Sequence, residues 1–346
     1  MCWLALVVAG CDCLEFYDNR SLLEAADSPP SEAIAIQYLN DTRTSETKDY
    51  DFAINRYEKS ASGSIGVCTS LSLDGSPIRF AAASLRRNGD GIAALADGRL
   101  VRFSVASPLV TVVSQLAQVP RAVAWSSDGT RVAMAFDDFG ARTEPVINEL
   151  RIATLDGATL ASLPLTLPLP AKDPIGPGDG YRVCLSWSGD DARVAVSVSA
   201  WASVLRVLDF EANLVDVESG IIYEVSNVQA VHFLDDRTFA AMRPSDAGGI
   251  GRTLLLFGPA EPEPLLLASG RCGGFLELWG SDPVRGELLV EAFSFDQPLS
   301  ASVLYVVDRS LRWTKGFGAL GDRPAVVDPM IAEPLLVARQ NLSECR

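Results

Sequence analysis

One histidine, His232, serves a chain of 346 residues. That scarcity removes multi-histidine zinc sites, His-rich metal clusters and any two-histidine proton relay. Basic residues are also few, with 29 Lys and Arg against 44 Asp and Glu and a net charge of −15. Nucleic-acid binding needs clustered cations to neutralise phosphates, and this surface should repel polyanions. The acidic excess reads as solubilising surface charge, with an acidic face for a basic partner or a cation as the sharper alternative. The seven cysteines show no CxxC and no metal-ligand spacing. No acidic series has calcium-loop spacing, and no GxSxG elbow occurs. The glycine-rich stretches 247–251 and 270–274 lack the strand-to-helix context of a nucleotide loop. No metal and no cofactor is therefore expected. No apolar run approaches the length of a membrane-spanning helix.

The N-terminus carries an address instead. Residues 1–10, MCWLALVVAG, hold a short apolar run and are followed by Cys11. Val8-Ala9-Gly10-Cys11 resembles the bacterial lipobox, in which small residues give a peptidase access to the backbone and the cysteine thiol takes a diacylglyceryl group. The resemblance implies cleavage after residue 10 and lipidation of Cys11. Residues 1–10 are then a signal peptide, and the polar, acidic residues 11–32 with their proline pair are a tether. The implied location is the bacterial cell envelope, periplasmic or surface-exposed, held by acyl chains alone. Cleavage and lipidation would leave Cys13, Cys68, Cys184, Cys272 and Cys345. An exported protein can pair some of these, with connectivity open. Cys68 and Cys184 lie in strand-like runs and read as small buried hydrophobes.

The body repeats itself. Arg121–Phe136 reads RAVAWSSDGTRVAMAF, an alternating strand ending in Trp-Ser, a Ser-Asp-Gly turn, then a second strand. Asp and Gly tolerate the backbone angles a tight hairpin demands. The pattern returns at 182–199, and Trp125 and Trp187 each precede a valine by seven residues, Val132 and Val194. Looser copies place Leu71, Phe233 and Trp279 in the tryptophan slot, and a faint one starts at Ala325. Each copy is followed by two further strand-like runs, so the unit is four antiparallel strands.

These residues resemble the WD-like repeats of TolB-type propellers. The resemblance implies an all-β, β-propeller fold over residues 33–346, with six four-stranded blades expected and seven as the alternative. Ala33–Leu39 and Tyr50–Tyr57 are expected to join the two C-terminal strands and close the last blade. Radial closure would leave only short, protected sheet edges.

For function, His232 reads as a buried structural histidine. Asp137-Asp138 and Asp190-Asp191 read as surface charge and not as glycosidase carboxylates. The proline-rich stretch 165–181 is the candidate binding loop, with Lys172, Asp173, Asp179 and Tyr181 as candidate contacts, because a stiff loop costs little to order on binding. The expected role is binding of a protein or envelope component through one propeller face, without catalysis. The rivals are a carbohydrate-active propeller enzyme and a structural array protein.

Overall fold

The computed structural model describes residues 14–16, 36–40, 51–59, 65–70, 72–73, 76–77, 80–86, 90–104, 107–138, 146–169, 181–200, 210–244, 252–259, 263–270, 274–294 and 303–317. All regular structure among them is strand. No helix of the described residues is long and apolar enough to cross a membrane. The chain begins with β1 (Leu14–Phe16), β2 (Ile36–Asn40), β3 (Asp51–Lys59), β4 (Ile65–Ser70) and a small hairpin of β5 (Ser72–Leu73) and β6 (Ser76–Pro77).

Five four-stranded antiparallel units follow in chain order. Blade 1 is β7 (Phe80–Leu85), β8 (Asp90–Leu95), β9 (Arg99–Ser104) and β10 (Ser107–Gln115). Blade 2 is β11 (Ala122–Trp125), β12 (Arg131–Asp137), β13 (Val146–Thr154) and β14 (Thr159–Pro168). Blade 3 is β15 (Tyr181–Trp187), β16 (Arg193–Ala200), β17 (Glu211–Asp216) and β18 (Ile222–Ser226). Blade 4 is β19 (Gln229–Phe233), β20 (Phe239–Pro244), β21 (Arg252–Phe257) and β22 (Leu265–Gly270). Blade 5 is β23 (Gly274–Asp282), β24 (Glu287–Ser294), β25 (Val303–Asp308) and β26 (Trp313–Phe317). The chain is a β-propeller.

The slot spacing has a direct meaning in register. Trp125 lies opposite Val132, and Trp187 opposite Val194, as cross-strand partners at the hairpin mouth. A separation of seven leaves six residues to close each pair.

Sheets stack because both faces of each are apolar. Along β12, Val132, Met134 and Phe136 pack toward blade 1, and Ala133 and Ala135 pack toward blade 3. Period-two alternation thus assigns one strand to two cores. Small alanines on one face let the next sheet approach closely. Met134 and Phe136 are essentially inaccessible to solvent, and burial of side chains this size contributes about 1.5–3 kcal/mol each. Among the described residues four such seams lie between successive blades, with Phe233 anchoring the one between blades 3 and 4 and Leu276 and Leu278 entering the one between blades 4 and 5.

Two expectations need correction. The described residues hold five blades, not six or seven. The two N-terminal strands exist, but β2 pairs β3, β3 pairs β4, and β3 reaches blade 1 at a single register position, Phe52 opposite Phe80. They extend the first blade's sheet and do not complete a last one; the faint copy from Ala325 lies outside the described residues. Blade 1 also begins later than the sequence pattern suggests. The Leu71 copy falls on β4 and the β5–β6 hairpin, whereas the strand stacked against β11 is β7.

Candidate binding face

Antiparallel order gives each blade two unlike ends. The first-to-second and third-to-fourth strand turns lie at one end, and the remaining connections lie at the other. The first end is closed by its own chemistry. In blade 2 the Ser126 hydroxyl donates to Asp128 Oδ1 at 2.6 Å and accepts the Arg131 N–H at 2.9 Å, while Asp128 also accepts the Thr130 N–H at 2.9 Å. Gly129 takes φ +76° there. Blade 3 repeats the set: Ser188 donates to Asp190 at 2.6 Å and accepts the Arg193 N–H at 2.9 Å, and Asp191 takes φ +55° where blade 2 has glycine. Aspartate is one of the few side chains that tolerates that region.

These turns also hold one another. Both oxygens of Asp191 accept backbone N–H groups of the neighbouring blade, from Ser127 at 2.8 Å and Asp128 at 2.9 Å. Arg131 returns a bond to the Asp191 carbonyl at 2.9 Å and stacks over the Trp187 ring at 5.1 Å. Arg86 of blade 1 does the same for blade 2, donating to the Ser127 carbonyl at 2.6 Å and lying 5.1 Å over Trp125. Burial pushes the Asp191 carboxyl up, against the pull of its two N–H donors. Burial raises Asp128 too, but the Ser126 hydroxyl and the Thr130 N–H outweigh it and leave Asp128 below the usual range.

Inner strands are pinned by hydroxyls one residue before the slot. Ser84 accepts the Trp125 N–H at 3.0 Å, and Ser186 accepts the Phe233 N–H at 2.9 Å. At the seam between blades 2 and 3 that position is Ala124. There the Trp187 indole donates to the Ala124 carbonyl at 3.0 Å instead.

The opposite end carries the longer connections. The strand ends flanking residues 139–145, 170–180, 201–209, 245–251 and 295–302 all belong to it. Lys172, Asp173 and Asp179 lie outside the described residues. Tyr181 opens β15 opposite Ala200, so its backbone sits at this end. Beneath it lies a buried polar cluster that joins three blades. Glu277 of β23 accepts the Ser199 hydroxyl of β16 at 3.0 Å and pairs with Arg252 at the start of β21. Glu277 is 2% exposed and Arg252 5%. A buried charge is tolerable when it is paired and hydrogen-bonded in this way. In blade 4, Ala230 takes φ +50° within a bulge of β19, a conformation that costs a non-glycine residue free energy.

Several expected residues resolve. His232 is buried in β19, and Cys184 of β15 is buried against the apolar cluster that blades 4 and 5 build. Asp190 is exposed, as its surface reading has it, but the other acids of the two pairs differ from that reading. Asp137 is buried and paired with Arg121, Asp138 clamps the loop neck by accepting the Val146 N–H at 2.9 Å, and Asp191 is buried. The cluster at Glu277 was missed, although its signal was present: an acid inside the apolar run Phe275–Trp279. Among the described residues no group of three potential metal ligands comes together.

No family model matches the chain, and no curated protein matches it. Solved structures similar to it include TolB from Acinetobacter baumannii (10% identity, covering 84% of this chain and 65% of that one, TM-score 0.49). Another is the putative TolB from Agrobacterium tumefaciens (14% identity, 84% and 92% covered, TM-score 0.46). A third is the C-terminal WD40 domain of Sif2 (14% identity, 66% and 57% covered, TM-score 0.40). None of these likenesses bears on what this chain binds.

Proposed function

We propose that this protein is an extracytoplasmic lipoprotein, acylated on Cys11, whose propeller binds a protein or envelope component through the end that carries its longer connections. The observation that carries the reading is the contrast between the two ends. One is stapled turn to turn by Asp191, Arg131 and Arg86. At the other, β14 ends at Pro168 and β15 begins at Tyr181, so the proline-rich stretch is the longest connection that leaves from this end. Rigid scaffolds with long rim connections are a common basis for recognition, because only the rim must adapt.

The charge pattern favours binding over carbohydrate chemistry. A glycosidase needs two carboxyl groups at a set separation, one able to ionise and one able to stay protonated. The buried acids Glu277 and Asp137 are each paired with an arginine, which suits a structural role.

Envelope extract passed over the full chain should retain a small set of components. Replacing residues 170–180 by a glycine-serine segment of equal length should abolish that retention while the melting curve stays the same. Retention that ignores the replacement, or turnover of a polysaccharide panel by the pure protein, would overturn the reading. The anchor is tested by intact mass: a lipid increment on Cys11, absent in Cys11→Ala.

A further inference from the structure

The tether is not wholly free of the body. Residues Leu14–Phe16 add a fifth strand to the outer edge of blade 4, antiparallel to β22, with Leu14 opposite Gly270, Glu15 opposite Ser269 and Phe16 opposite Ala268. An outer propeller strand has a row of unpaired backbone donors and acceptors, and an extended segment satisfies them. The outer edges of blades 1 and 2 are less suited to this. Strand β14 carries Pro164 and Pro168, and β10 carries Pro108, and each proline removes a donor and blunts the edge. Strand β22 has no proline, so its edge keeps every backbone donor.

Cys11 lies three residues before Leu14. Three extended residues reach about 10 Å. We propose that this docked strand turns the tether into a short leash and makes the outer edge of blade 4 the membrane-facing side of the propeller. The partner surface is the lipid headgroup layer. The inference rests on the lipid-anchor reading above. Attraction to anionic lipid does not supply the contact, since the chain carries a net charge of −15. Acyl insertion and the β1–β22 pairing supply it. The propeller then stands on its side, with both ends open to partners alongside the bilayer.

The test uses the full lipidated chain in vesicles of phosphatidylethanolamine and phosphatidylglycerol, with headgroup nitroxides as quenchers. A fluorescent amino acid is placed by codon suppression at Leu265 on β22 or at Leu160 on β14, both exposed. Quenching at 265 should exceed that at 160 by several-fold. Equal quenching, or the reverse, overturns the leash. Docking is read separately in the unlipidated Cys11→Ala chain. Glu15→Cys with Ser269→Cys should form a disulfide found by peptide mass, whereas Glu15→Cys with Ser226→Cys should not. Failure of the first pair also overturns the leash. A chain with no lipid on Cys11 overturns the anchor itself, an outcome the mass spectrum distinguishes from failed docking.

Discussion

Asp191 Oδ1 accepts the backbone N–H of Ser127 at 2.8 Å, across a blade seam and 64 positions along the chain. The same carboxylate takes the next N–H with its other oxygen. One side chain therefore joins two hairpin turns that share no strand. It does so from a left-handed backbone position that its counterpart in blade 2 fills with glycine.

Two substitutions at Asp191 separate side chain from backbone. Asp191→Ala loses both charge-assisted bonds and leaves a methyl group at φ +55°, so it should cost about 2–3 kcal/mol. Asp191→Gly loses the bonds but relieves the backbone, so it should cost about 1 kcal/mol less. Urea midpoints measure the order. Equal costs would show that the backbone conformation carries no penalty here.

Acid should weaken the fold, with Asp191 opposing the trend. The Asp97 carboxyl is lowered by the Arg99 N–H, and Asp216 by the Ser219 N–H. Glu149 is raised by burial but ends lowered by Arg151 and Ser162. Carboxyls depressed in the folded state contribute stability above their unfolded values, near 3.8 for Asp and 4.5 for Glu, and lose it as pH falls through the folded ones. Asp191 has the opposite sign. Its folded value is raised, so its contribution is fullest below 3.8 and shrinks as pH rises toward the folded value. Melting temperature should thus fall below about pH 4, and the cost of Asp191→Asn should be larger at pH 4 than at pH 7. A cost that grows with pH would refute the raised value.

The two slot tryptophans should respond differently to removal of the indole N–H. Trp187→Phe loses a bond to the Ala124 carbonyl and should cost about 1–2 kcal/mol. The Trp125 indole N–H is buried with no partner among the described residues, so Trp125→Phe should cost less. Paired denaturation curves decide it, and a reversed order would reject the assignment of the bond.

Arg252→Met should be among the most damaging single changes, at about 3–5 kcal/mol, because it leaves Glu277 charged and buried. Adding Glu277→Leu to it should recover most of the loss. A double variant as weak as the single one would mean that shape, not charge, sets the cost.

Legibility followed the turns. Trp125 and Trp187 revealed their hairpins because Ser-x-Asp sets turn geometry locally, and the spacing to valine is itself a register pair. Blade 1 misled for the same reason. Asp74-Gly75 between β5 and β6 imitates the motif, while the true mouth at Leu85 and Gly91 is spanned by an Arg-Arg-Asn-Gly-Asp sequence that lacks its Trp-Ser-x-Asp order. Blade 5 looked loose because Trp279 sits in a bulge. Contacts between blades were largely invisible, since Asp191 and Glu277 find partners far along the chain and no local pattern encodes them. The blade count failed on ambiguity at the termini, where strand-like runs can join more than one sheet edge.

Within blades 2 to 5 each strand pairs with its immediate chain neighbour, so these sheets can form one after another as the polypeptide is synthesised. The Leu14–Phe16 strand obeys a different clock. Its partner is synthesised long after it, and until β22 arrives this strand lacks the edge it pairs with. Pairing of this strand is therefore a late step, available only to a chain whose fourth blade is already built.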